Sequence, residues 1–134
     1  MTFADTSFWF ALQEPSERHH AEARSLVREA RREEILVSNH VLGETWTLVR
    51  RRSGHRAAVG FLDRCARLSN LSRVRIDAAI EREAWNWLRR HDERNYSFVD
   101  ATSFALMRAR GVREALAFDG DFSAAGFVEV RPRV

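Results

Sequence analysis

Ile35-Leu36-Val37-Ser38-Asn39-His40-Val41-Leu42-Gly43-Glu44-Thr45-Trp46 holds two kinds of structure end to end. Ile35 to Ser38 is a β-branched run of strand length. Asn39, directly after it, is a fair N-cap for a helix running to about Arg52. The same alternation continues outward in both directions. Upstream, Met1-Thr2-Phe3-Ala4 reads as a short buried strand ending at Asp5, and a helix is expected from about Ser16 to the charged run that starts at Arg31. Downstream, Gly54 breaks the chain and a helix follows from His55 to about Leu68. Val74-Arg75-Ile76 reads as a third strand, Asp77 caps a helix through about His91, and Phe98 to Arg110 is helical with Gly111 as its stop. Ala115-Leu116-Ala117-Phe118 reads as a fourth strand, Asp119-Gly120-Asp121 as a turn, and Phe127-Val128-Glu129-Val130 as a fifth strand. Strands alternating with helices predict an α/β fold, with a parallel sheet of four to five strands covered on both faces.

The chain has 134 residues, enough for one domain, and 45% of them are apolar, enough for a sizeable core. Nine Phe, four Trp and two Pro argue against disorder. No apolar run approaches the roughly 18 residues of a membrane helix. An acid, Asp5, stands where a secretory leader carries basic residues, so no such leader is expected. The single cysteine, Cys65, excludes an internal disulfide and a Cys-based zinc site, and it suits a reducing cytoplasm. By default it is a small buried hydrophobe. All 22 basic residues are Arg, against 19 acids, and the pI is near 10.3. Planar guanidinium forks suit phosphate, and the charge suits a polyanion or an acidic protein partner.

Four carboxylates need an account within this basic chain. In open α/β sheets ligands sit beyond the carboxyl ends of the strands. Asp5 ends the first strand and Asp119 the fourth, although each also reads as a cap or a turn residue. Asp100 shares a face with Phe104 and Met107 on a helix that is apolar nearly all round, so it is expected to be buried. A buried carboxylate is costly unless it is paired or metal-bound. A capping box, Ser97-Phe98-Val99-Asp100, is the structural alternative, and the two readings are compatible. Glu44 lies at the edge of the apolar stripe of its helix, either on the surface or facing a pocket. Four acids at one sheet edge raise one another's pKa or demand a counter-cation. Oxygen ligands with no Cys and no His pair suit Mg²⁺ or Mn²⁺. An acidic hollow in a basic protein suits metal-dependent cleavage of a nucleic-acid backbone.

Four pieces in order resemble the PIN domain, and more narrowly the VapC-type toxin ribonucleases of toxin–antitoxin pairs. They are Ala4-Asp5-Thr6-Ser7, Asn39 to Thr45, Tyr96 to Phe104, and Ala117-Phe118-Asp119-Gly120-Asp121-Phe122, spanning about residues 2 to 130. The resemblance implies a single PIN-like α/β/α domain over residues 1–134. It implies that Asp5 and Asp100 are the principal Mg²⁺ (or Mn²⁺) ligands. Glu44 and Asp119 would bind metal directly or through water and position the attacking water, with Asp121 as an alternative to Asp119. Thr6, Ser7 and Asn39 would contact the acids or the phosphate. The implied reaction is metal-dependent hydrolysis of RNA that leaves a 5′-phosphate, without a protein nucleophile. The implied partners are RNA, a cognate antitoxin that covers the site, and a second copy in a homodimer, with larger assemblies when antitoxin is bound.

Other residues carry weaker expectations. Arg50-Arg51-Arg52 is the densest basic patch, read as a solvated helix end or as an RNA or antitoxin contact through Arg50 and Arg51. Trp9 and Phe10, near the site end of the first strand, are expected to touch a partner. Trp46, Trp85 and Trp87 are expected in the core or at a dimer interface. The five His show no metal spacing. Two other functions compete with a ribonuclease. A Mg²⁺-dependent phosphatase needs a second acid two residues after the first, where Ser7 stands, and a Lys that the chain lacks. A PIN-like module that binds RNA or a partner without cutting is opposed by the full set of acids.

Overall fold

A computed structural model describes residues 1–133. The chain runs β1 (Thr2–Ala4), α1 (Thr6–Gln13), α2 (His20–Glu29), β2 (Ile35–Ser38), α3 (Asn39–Ser53), α4 (His55–Arg67), β3 (Leu71–Val74), α5 (Ala78–Arg90), α6 (Phe98–Arg110), β4 (Glu114–Leu116), α7 (Asp121–Ala124) and β5 (Val128–Glu129). The five strands form one all-parallel sheet in the order β3-β2-β1-β4-β5, with helices flanking it. This is the expected α/β/α architecture, with five strands.

The strand order sets the position of any ligand site. The chain leaves β1 to build β2 and β3 on one side, then returns to build β4 and β5 on the other. The order therefore reverses between β1 and β4, and a crevice opens beyond their carboxyl ends. Ala4 pairs with Leu116, and the Asp5 amide donates to the Leu116 carbonyl at 3.0 Å. Asp5 therefore stands at the mouth of that crevice.

Helix boundaries follow their caps. Asp77 accepts from the Ile80 amide at 2.9 Å and starts α5. Gly111 ends α6 with φ 68°, a left-handed conformation that glycine adopts without strain. Phe3, Leu36, Val37 and Ala115 on the strands pack with Phe104, Met107 and Phe122 in the core.

Three expectations need correction. The segment after Asp5 is a helix, α1, and the next helix begins only at His20. Ser38 caps α3 through the Val41 amide at 3.0 Å, whereas Asn39 is the first helical residue. The third strand is Leu71–Val74, three residues earlier than expected. Ser72 and Arg73 sit in this edge strand, where polar side chains guard an open edge and dilute the apolar pattern.

Candidate metal centre

Asp5 is almost fully buried, with 2% exposure. It caps α1: its Oδ2 accepts from the Ser7 amide at 3.2 Å and from the Ser7 hydroxyl at 2.8 Å. Ser7 Oγ in turn accepts from the Phe118 amide at 3.0 Å. One serine thus ties the end of β1 to the segment after β4. Asp100 is buried on the first turn of α6 and completes the capping box with Ser97. The Ser97 amide donates to Asp100 Oδ2 at 3.0 Å, and the Asp100 amide donates to Ser97 Oγ at 3.0 Å. The expected burial and the expected box occur together.

Asp119 comes from the short segment between β4 and α7, and Asp121 is the first residue of α7. Asp119 Oδ1 accepts from the Asp121 amide at 3.1 Å, which folds the turn. One carboxylate oxygen from each of Asp100, Asp119 and Asp121 lies within 4.8 Å of the others. The only cation paired with this group among the described residues is Arg94, in the α5–α6 connection. Its Nε donates to Asp121 Oδ1 at 2.9 Å, and its Nη2 reaches the Asp119 carbonyl at 3.4 Å. Sequence reading gave no sign of Arg94, because it stands in an irregular segment with no periodic pattern.

Electrostatics reflects this crowding. Burial, followed by Asp119 and Asp100, pushes the Asp5 carboxyl up to about 8, against the pull of its two Ser7 hydrogen bonds. Burial also pushes Asp100 up to about 6, with Asp119 and Asp121 adding to the rise and the Ser97 bonds opposing it. Asp119 is raised as well, first by burial and then by Asp121 and Glu129 against the Asp121 amide. Asp119 raises the Asp5 carboxyl, while Asp121 is paired with the exposed Arg94 side chain. In each of the four acids one oxygen accepts a hydrogen bond within the protein and none reaches the other, among the described residues. Crowded carboxylates with free oxygens and one rim cation are a donor set that could hold a hard divalent cation.

The other expected site residues divide. Glu44 is half-buried on α3 and lies outside the tight group. It stands one turn beyond His40, whose ring meets Phe98 at the start of α6 at 5.6 Å, so it occupies the α3 face turned toward α6. Thr6 is buried, but its hydroxyl reaches no acid. Asn39 Oδ1 accepts from the Ile76 amide at 2.8 Å and braces the segment before α5. Trp9 is corrected. Trp9 is 0% exposed, wedged between Phe8 and Phe61, and cannot touch RNA or antitoxin without unfolding α1; Phe10 is 8% exposed. Arg50 and Arg51 are exposed on the last turn of α3. Trp87 is in the core, while Trp85 is 49% exposed and stacks on Phe98.

Comparison with known proteins agrees with this arrangement. The family model for the PIN domain matches residues 2–128. The chain is 58% identical over 133 residues to proteins from two Mycobacterium tuberculosis strains, each named 23S rRNA-specific endonuclease VapC20. The match covers 98% of this chain and 99% of theirs. A crystal structure of M. tuberculosis VapC20, described as a sarcin–ricin loop cleaving toxin, superposes with a TM-score of 0.90. It is 54% identical, covering 98% of this chain and 100% of that one. With a match across nearly its whole length and the acids gathered at the switch point of the sheet, the chain belongs to the PIN domain family.

Proposed function

We propose that this chain is the toxin of a toxin–antitoxin pair, a Mg²⁺- or Mn²⁺-dependent endoribonuclease that cuts 23S rRNA in the sarcin–ricin loop. The observation that carries the chemistry is the gathering of Asp100, Asp119 and Asp121 oxygens within 4.8 Å, beside buried Asp5. The near-full-length likeness to VapC20 carries the substrate.

The donor set fits a hard divalent ion: oxygens only, crowded, and unneutralised at the centre. Asp5 and Asp100 would hold it, joined by Asp119, with Glu44 acting from α3. Such an ion supplies charge stabilisation at the phosphate and lowers the pKa of the attacking water. The protein's own groups do the rest. Ser7 fixes the Asp5 carboxylate through two hydrogen bonds, and the capping box fixes Asp100. Asp119 and Glu44 orient the water and accept its proton. Water adds to phosphorus, the P–O3′ bond breaks, and the products are a 5′-phosphate and a 3′-hydroxyl. Surface arginines, Arg50 and Arg51 among them, hold flanking phosphates. The partners are RNA and a cognate antitoxin, the working unit is a homodimer that grows to a heterotetramer or larger with antitoxin, and the compartment is the cytoplasm.

The test uses antitoxin-free protein, ribosomal RNA, and Mg²⁺ or EDTA. Discrete fragments bearing 5′-phosphates, dependent on both metal and Asp5, are expected. RNA that binds but stays intact in Mg²⁺ would show a binding module instead.

A further inference from the structure

A cleft of about 510 Å³ opens directly off the acids, with Ser7 and Asp119 in its wall. This lies within the roughly 300–1,000 Å³ of clefts that hold small ligands. Arg18 and His19 reach it from the α1–α2 connection, Arg52 from the last turn of α3, and Phe118 from the segment after β4. The His19 ring lies flat on Phe118, with centroids 4.5 Å apart and planes 3° from parallel. Its Nδ1 is 2.8 Å from the Glu22 carboxylate, so the ring is held both from behind and at its edge. The side chain is still 23% exposed. The Arg52 guanidinium rests over the Phe10 ring at 5.9 Å. Neither Arg18 nor Arg52 forms an ion pair among the described residues.

Two guanidinium groups without a carboxylate partner, one of them (Arg18 Nη2) 3.3 Å from His19 Nε2, and a braced planar ring are the elements that recognise a nucleotide. Guanidinium forks match phosphate oxygens, and a ring held flat offers a face for an unstacked base. Glu17, in the same cleft, adds an acceptor for a ribose hydroxyl or a base amino group. An acidic peptide would also satisfy the arginines, but it has no use for the braced ring. We infer that this cleft is a nucleotide subsite that holds the RNA residue next to the scissile phosphate, its base on His19 and its phosphates on Arg18 and Arg52. The inference rests on the ribonuclease reading above. It adds Arg52, inside the cleft, to the phosphate contacts of α3, with Arg50 and Arg51 outside the cleft serving the flanking phosphates.

The test measures binding and cleavage of a labelled sarcin–ricin stem–loop RNA, with binding read in EDTA. Arg18→Ala and Arg52→Ala should each weaken binding about tenfold at low salt, and each should flatten the log–log salt slope by about one. Both should raise KM much more than they lower kcat. The control is Arg31→Ala, which removes the same charge from the exposed segment before β2, at the opposite end of the strands. His19→Ala should cost about tenfold, and His19→Phe should restore most of it, because the plane does the stacking. An RNA lacking the base beside the cut should bind wild type weakly, yet lose nothing further in His19→Ala. Equal effects of Arg18→Ala, Arg52→Ala and Arg31→Ala would overturn the subsite. So would unchanged RNA binding with lost antitoxin affinity, which would make the cleft a protein-docking surface. A wild-type chain that neither binds nor cuts the RNA would refute the ribonuclease reading itself, a result separable from failure of the subsite alone.

Discussion

Asp5→Asn should make the metal-free protein more stable while abolishing cleavage. The exchange keeps the side-chain shape and leaves an oxygen to accept from Ser7, but it removes the charge. In the fold, burial and the neighbouring Asp119 and Asp100 carboxylates raise the Asp5 pKa from 3.8 to about 8. The folded state therefore keeps a proton that the unfolded chain releases, and stability falls as pH rises from about 4 to about 8. At pH 7 the unfolded carboxyl is ionised by roughly three pH units, at about 1.4 kcal/mol each, so the penalty is about 4 kcal/mol. The buried amide N–H₂ group that the exchange introduces, where the carboxyl has an oxygen without a partner, offsets roughly 1–2 kcal/mol of this. A gain of about 2–3 kcal/mol remains, which for a domain of this size raises Tm by on the order of 10 °C. Thermal unfolding followed by circular dichroism in EDTA at pH 7.5 measures it, and at pH 4.5 the advantage should nearly vanish. Adding Mg²⁺ to about 100 times its Kd should raise wild-type stability by about 2.7 kcal/mol and leave the variant unmoved. A variant that melts below wild type in EDTA at pH 7.5 would refute the reasoning, because the Asp5 charge would then be a favourable cap and not a strained ligand.

Four further outcomes follow from the same geometry. Asp119→Asn should abolish cleavage. Asp121→Asn should free Arg94 and lower the rate while leaving the Mg²⁺ concentration at half-maximal rate unchanged; a large rise in that concentration would make Asp121 a metal ligand. Cleavage should climb with pH toward about 8 as Asp5 and Asp100 lose their protons, and its midpoint should fall as Mg²⁺ rises, because metal and protons compete for the same oxygens. A midpoint indifferent to Mg²⁺ would uncouple those acids from the metal. Ser7→Ala should destabilise the fold by about 1–3 kcal/mol in urea unfolding, the opposite sign to Asp5→Asn, because the Phe118 amide loses its acceptor.

Legibility of the sequence tracked how each residue does its work. Gly111, Asp77 and the Ser97–Asp100 box act through their nearest neighbours in sequence, and the structure has them where the sequence places them. The first helix did not show itself. Phe8, Trp9, Phe10, Ala11 and Leu12 are all buried, so the segment has no polar face and hence no 3.6 period to read. The same lack of pattern made Trp9 look like a partner contact. Asn39 is a cap by composition, but its carboxamide serves a backbone 37 residues away, a long-range bond that local spacing does not reveal. Arg94 pairs across 27 residues and escaped for the same reason. The meeting of Asp5 and Asp119 is legible because strand ends of a parallel sheet gather at one edge, whereas Asp100 is legible from its burial on an apolar helix.

Capping and metal binding are compatible readings of Asp5 and Asp100, and the geometry shows how one residue can serve both. Each carboxylate gives one oxygen to a helix N-terminus and keeps the other free. The amides that donate to these oxygens lie at the positive end of a helix, which favours an anion there. Capping thus lowers the cost of burying the acids before any cation arrives. It does not cancel that cost, since Asp5 still sits near 8 and Asp100 near 6. The residual strain is what a divalent ion relieves. Replacing either cap by a neutral residue relieves it too, at the expense of the chemistry. A site built this way folds without its metal yet binds it with energy that the fold has kept in reserve. This is why stability and cleavage should move in opposite directions at Asp5 and together at Ser7.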